Sequence, residues 1–186
     1  MDTPTHTTAA PNLRLRLRQD TRAAHDALDL ALSRFDLTTA EGLRRFLRAQ
    51  WLGLRALDLA GSTAQSRTAL TSLTAALRSD LDRLGVAVDP DPPVLDFVPE
   101  PLAIDYMVAG SRLGSMVLRK QWLAATDPDV RAAGAYFGGP DHLDLWKAFC
   151  RQAEAMPATT AIADRVVQDA DRLFEFFLDC ARRAAA

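Results

Sequence analysis

Apolar residues recur at helical spacing along nearly the whole chain. In the stretch from Leu13 to about Phe35, Leu17, Thr21, His25, Leu28 and Leu32 share one face. Arg14, Arg18 and Arg22 form a basic stripe in its first half. Asp36-Leu37 reads as a break, and Thr38 followed by Glu41 predicts a capping box opening a second helix to about residue 60. A third helix is expected from about residue 63 to Leu84, with Gly85 where a helix ends in the left-handed conformation. Residues 86–101 hold five prolines, so a connection wrapped over the surface is expected there.

Helical pattern resumes at once, over about residues 102–125. Asp127-Pro128 reads as the cap and first residue of a short helix ending near Tyr136. Gly138-Gly139-Pro140 predicts a turn, and two more helices follow over about 141–155 and 161–183. No run alternates in the manner of a strand. The pattern predicts an all-α fold, a helical bundle of about seven helices forming one domain over residues 13–186. The Thr/Pro/Ala-rich residues 1–12 are expected to be a disordered tail.

Composition narrows the function classes. A net charge of -2 gives no footprint for nucleic acid. No apolar run approaches membrane-spanning length, and the N-terminal residues lack the features of a secretory signal, so a soluble cytoplasmic protein is expected. Cys150 and Cys180 show no metal-ligand spacing and sit in apolar helical stretches, so reduced buried thiols are expected.

The stretch from Tyr106 to Lys120, YMVAGSRLGSMVLRK, is where the pattern is most unusual. Gly110 and Gly114 interrupt a helical run, and each costs about 0.5–1 kcal/mol relative to alanine. Four residues apart, they bare one side of the helix. That bare side serves either close helix packing or a ligand lying against the backbone. His25 is either a boundary residue of the core or a lone metal ligand. It has no second histidine at i±3 or i±4, and paired Glu-x-x-His motifs are absent, which disfavours a multi-histidine zinc site or a di-iron site. A single protein ligand suits a porphyrin that supplies four nitrogens itself. Basic side chains suit the propionates of such a ligand. Arg18 lies two turns before His25, and Lys147 and Arg151 share a face of a later helix.

These stretches resemble a known family. LRLRLRQDTRAAHDALD resembles the proximal-helix segment of haem oxygenases, GSRLGSMVL their distal helix, and ADRLFEFF their C-terminal helix. The likeness runs from about residue 13 to 182 and is greatest to the bacterial, biliverdin-producing branch found beside bacteriophytochromes. It implies haem b sandwiched between two helices, as substrate and cofactor. His25 would be the axial iron ligand, and Thr21 the threonine that commonly precedes it. Gly110, Ser111 and Gly114 would form the catalytic distal segment, with the two glycines also contacting the haem. Arg18, Tyr106, Lys147 and Arg151 would be propionate partners. An external donor (a reductase, ferredoxin or ascorbate) would supply electrons, and a bacteriophytochrome could receive the biliverdin.

Two positions depart from the mammalian-type pattern. Ser111 stands where an aspartate holds a water network, and Ser115 where a third glycine stands. A non-catalytic haem carrier on the same fold is therefore the alternative. A thiaminase-like enzyme would need a nucleophilic cysteine, and a plain helical interaction module leaves the glycine pair unexplained.

Overall fold

The computed structural model describes residues 11–60, 64–88 and 91–186. The tail expected over residues 1–12 therefore lies mostly outside the described residues. Pro11 and Asn12 are inside them, and both are pinned. Asn12 caps the first helix through its side chain, which accepts from Leu15 N–H at 3.1 Å. Its backbone pairs with Pro157, flanked by Leu13 N–H to Met156 O at 2.9 Å and Ala158 N–H to Pro11 O at 3.1 Å.

Among the described residues there are nine helices and no strand. They are α1 (Leu13–Asp20), α2 (Arg22–Leu32), α3 (Ala40–Ala60), α4 (Ala64–Arg83), α5 (Pro101–Leu123), α6 (Pro128–Ala132), α7 (Ala135–Gly138), α8 (Leu143–Ala155) and α9 (Ala161–Ala185). Two features raise the count above the seven expected. The first predicted helix divides at Thr21, whose hydroxyl donates to Leu17 O at 2.7 Å, back-bonding of the kind that bends helices. The 128–136 segment also divides, into α6 and the single turn α7. Buried Asp80 holds α7 by accepting from the N–H groups of Ala135 and Tyr136 at 2.9 and 2.8 Å. Burial pushes the Asp80 carboxyl up, and these two donors pull against that.

The start of α3 also differs from expectation. Asp36 takes the Thr38 N–H and hydroxyl at 3.0 and 2.6 Å, which removes Thr38 from capping and holds the Asp36 carboxyl below its usual range. Thr39 caps instead, accepting from Gly42 N–H at 3.1 Å. Glu41 is then one position too early to close a capping box and pairs with Arg45 at 2.7 Å. Gly85, at φ 71°, ends α4 as predicted, with Val86 N–H reaching Leu81 O at 2.9 Å. Asp127 caps α6 ahead of Pro128, again as predicted.

The long connection before α5 is fastened to α9. Arg172 lies over the Phe97 ring at 3.5 Å and meets Asp96 at 3.2 Å, while Glu100 N–H donates to Asp169 at 2.8 Å. Helix α9 packs against α1, α2, α3 and α5. Its buried face includes Val166, Leu173, Phe174 and Phe177. At Gly53 of α3 the approach is close: a Cβ there would come 2.5 Å from the Phe177 ring. Gly53→Ala should therefore lose about 1–3 kcal/mol of stability in denaturant titrations, because the ring and its helix must move outward.

Candidate functional site

A cavity of about 570 Å³ lies between α2, α3, α5 and α9. Its walls are mainly apolar and aromatic, in the size range of small-molecule sites. His25 of α2 stands on one side and Gly110, Ser111 and Gly114 of α5 also line it. A Cβ built on Gly110 or Gly114 meets no heavy atom within 4 Å. Close helix packing is thus not what these glycines serve: their missing side chains leave open space, in contrast to Gly53.

His25 is oriented by its own helix. Its Nδ1 lies 3.3 Å from the Asp29 carboxylate one turn on, and 3.9 Å from Asp26. The Phe174 ring meets the imidazole edge-on at 5.3 Å between centroids. With the Asp29 carboxylate facing Nδ1, a neutral imidazole carrying its proton on Nδ1 keeps the Nε2 lone pair for a ligand, the arrangement common to metal-binding histidines. Among the described residues no cluster of three or more His, Cys, Asp or Glu could hold an ion by itself. A metal held here would need its remaining donors from its own ligand. The lone histidine, the apolar walls and the unfilled glycine strip all suit a flat metallo-macrocycle such as haem.

Tyr106, one turn before Gly110, stacks on Phe149 at 5.1 Å and on Trp146 at 6.4 Å. Burial pushes its phenol up, against a hydrogen bond with Thr21 and the positive charge of Arg18. Thr21 is buried and Arg18 exposed; both gather on Tyr106 and neither lines the cavity. Lys147 pairs with Asp144 at 3.8 Å on the outer side of α8, and Arg151 is likewise exposed. Neither is part of the cavity wall. The wall contains one carboxylate, Asp29, and no Lys or Arg, so the acidic tails of a ligand would have to leave through the mouth.

The Ser111 hydroxyl donates to Val108 O at 2.8 Å, which leaves its oxygen free to accept a hydrogen bond. Arg112 faces neither the ligand space nor solvent; it is buried against the turn after α7. Four polar groups on the wall escaped the sequence reading: Asp29, Ser33, Gln50 and Tyr136. Asp29 was visible as a carboxylate four residues after His25, and Gln50 as the polar residue on the buried face of α3. Tyr136 had no local signal, since α7 reaches the cavity only through tertiary packing.

Neither cysteine lines the cavity. Burial pushes the Cys180 thiol up to about 12 and raises that of Cys150 as well.

Because nothing opposes a methyl group there, Gly110→Ala and Gly114→Ala should preserve or raise stability, by up to about 1 kcal/mol. Thermal melting of the ligand-free protein measures this; a loss comparable to that of Gly53→Ala would contradict the open space.

No family model matches the chain, and no curated protein matches it in sequence. Among solved structures, it is similar to the NO- and CO-bound haem oxygenase from Neisseria meningitidis. The TM-score is 0.70 at 23% identity, over 94% of this chain and 92% of that one. The nine-helix arrangement described above is therefore the all-α fold of that haem oxygenase.

Proposed function

We propose that the protein is a haem oxygenase that converts haem b, with dioxygen and external electrons, to biliverdin, carbon monoxide and free iron. One observation carries the reading: a strip of α5 free of side chains shares an apolar cavity with an imidazole whose Nδ1 faces a carboxylate. When bound, haem supplies both the iron that binds dioxygen and the meso carbon that is oxidised.

The chain's own residues contribute holding and shaping. His25 presents Nε2 to the iron, and Asp29 fixes the imidazole's rotation and tautomer. The open strip at Gly110 and Gly114 leaves room for a diatomic molecule between the macrocycle and the backbone. Ser111 offers an acceptor oxygen beside that room. Tyr106 and Arg18 would receive one propionate, and Lys147 and Arg151 would serve the ligand only at the solvent side. Electrons come from a reductase, a ferredoxin or ascorbate. The resemblance to the bacteriophytochrome-associated branch makes chromophore supply the favoured purpose, within the cytoplasm.

A non-catalytic haem carrier is the second reading. It is favoured by the α5 wall beside the glycine strip, which presents the hydroxyls of Ser111 and Ser115 and no carboxylate.

Haemin mixed with the purified protein should give a histidine-ligated Soret spectrum. His25→Ala should abolish that ligation, and an unchanged spectrum in the variant would refute the assignment. Adding ascorbate under air should replace haem absorbance by biliverdin within a single turnover. Persistence of intact ferrous haem would instead identify a carrier. Asp29→Asn should weaken haem retention about 10- to 100-fold, the range for losing a ligand's orienting partner, as measured by haem transfer to an acceptor protein.

A further inference from the structure

Helix α5 carries two charged side chains that are almost wholly buried, Asp105 and Arg112. Arg112 is 2% exposed and lies between the two glycines, directed away from their open strip. No carboxylate lies within ion-pair distance of it among the described residues; its partners are backbone carbonyls. Nη1 donates to Tyr136 O at 3.1 Å, and Nη2 to Pro140 O at 2.9 Å and Gly139 O at 3.4 Å. Its Nε is buried without a partner. A cation removed from water without a counter-ion is costly, so its placement calls for a reason beyond packing.

The reason lies in what it holds. Tyr136 is 1% exposed, and its ring centre is 5.2 Å from the guanidinium carbon. Asp80 takes its N–H and Arg112 its C=O, so the single turn α7 is clamped from both sides. The clamp sets the phenol into the cavity wall, where its hydroxyl donates to Gln50 Oε1 at 3.4 Å. Arg112 and Ser115 also act on that hydroxyl, drawing it toward ionisation while burial opposes them. Ser115 gives its own proton to Arg112 O at 2.8 Å, so its oxygen is free to accept. Gln50 and Ser115 are each buried and line the cavity.

We infer that Arg112 is a positioning residue that acts through Tyr136. It holds the phenol, with Gln50 and Ser115, as a polar wall on the α5 side of the cavity, and lends that wall a positive field. The wall supplies hydrogen-bonding groups that Ser111 alone does not. The inference rests on the haem reading for its ligand, but its core, the coupling of Arg112 to the Tyr136 hydroxyl, is independent of haem.

Two measurements test it. In protein loaded with ferric haem, azide affinity is read from the Soret shift. Arg112→Met and Tyr136→Phe should each weaken azide about three- to tenfold, in line with the loss of a positive charge or a hydrogen bond beside an anion. The double variant should be no weaker than the poorer single variant, because both changes remove one device. Arg112→Lys retains charge but cannot fork onto several carbonyls, and should recover only part of the affinity. Trp122→Phe removes a buried hydrogen bond to Val130 O from the same helix, away from the cavity, and should leave azide affinity within twofold. Affinities within twofold of wild type in Arg112→Met, or effects that multiply in the double variant, would overturn the inference.

The second measurement needs no haem. With Tyr106→Phe as background, Tyr136 is the remaining phenol of the two in the chain. The charged groups facing it are Arg112 and Asp80, with His142 next to Arg112. Arg112→Met in that background should raise the ultraviolet titration midpoint by at least about half a pH unit. An unmoved midpoint overturns the coupling. Failure of the wild-type protein to take up haem would instead refute the proposed function and leave this readout standing.

Discussion

Phe177 rests on bare backbone at Gly53, and the whole cavity depends on that contact. It draws α9 onto α3 closely enough for the same helix to reach α2 and α5. One turn earlier, Phe174 meets the His25 ring at 5.3 Å and the Tyr106 ring at 6.1 Å. A single helix thus sets the spacing between the element bearing the imidazole and the element bearing the glycine strip. The two glycines differ in purpose: Gly53 lets two helices touch, while a Cβ at Gly110 would meet nothing within 4 Å, so its bare backbone leaves room for something else.

The polarity of the cavity is uneven. On the α2 side, a carboxylate backs the imidazole. On the α5 side there are hydroxyls and an amide, supported by a buried guanidinium behind them. A cavity of this kind favours a large apolar ligand whose charged parts stay at the mouth, with a positive field behind the space left for a small polar molecule. Arg18, Lys147 and Arg151 all lie outside the wall, which fits that division of labour.

Much of the helical framework was legible because its signals are local. Amphipathic spacing placed α3, α5, α8 and α9, and Gly85 and Asp127-Pro128 marked two boundaries. Errors arose where a neighbour intervened. Thr38 lost its capping role to the turn at Asp36, and Thr21 split the first helix by bonding backward to Leu17. Asp29 was within reach of pattern reading, being one turn from His25. Tyr136 was not, because a four-residue helix has too little periodicity to announce which way it faces.

By itself, then, the sequence determined an all-helical chain and singled out His25, Gly110 and Gly114, since helix periodicity and the cost of glycine are properties of neighbouring residues. Tertiary structure decided what those residues face. Whether a bare helix side is a packing surface or a roof depends on whether another chain segment fills it, and no residue near Gly110 in sequence carries that information. The same holds for Arg112: a helical pattern leaves it pointing either toward a propionate or out to solvent, and only the fold of the 136–140 turn around its guanidinium makes it a buried support of the cavity.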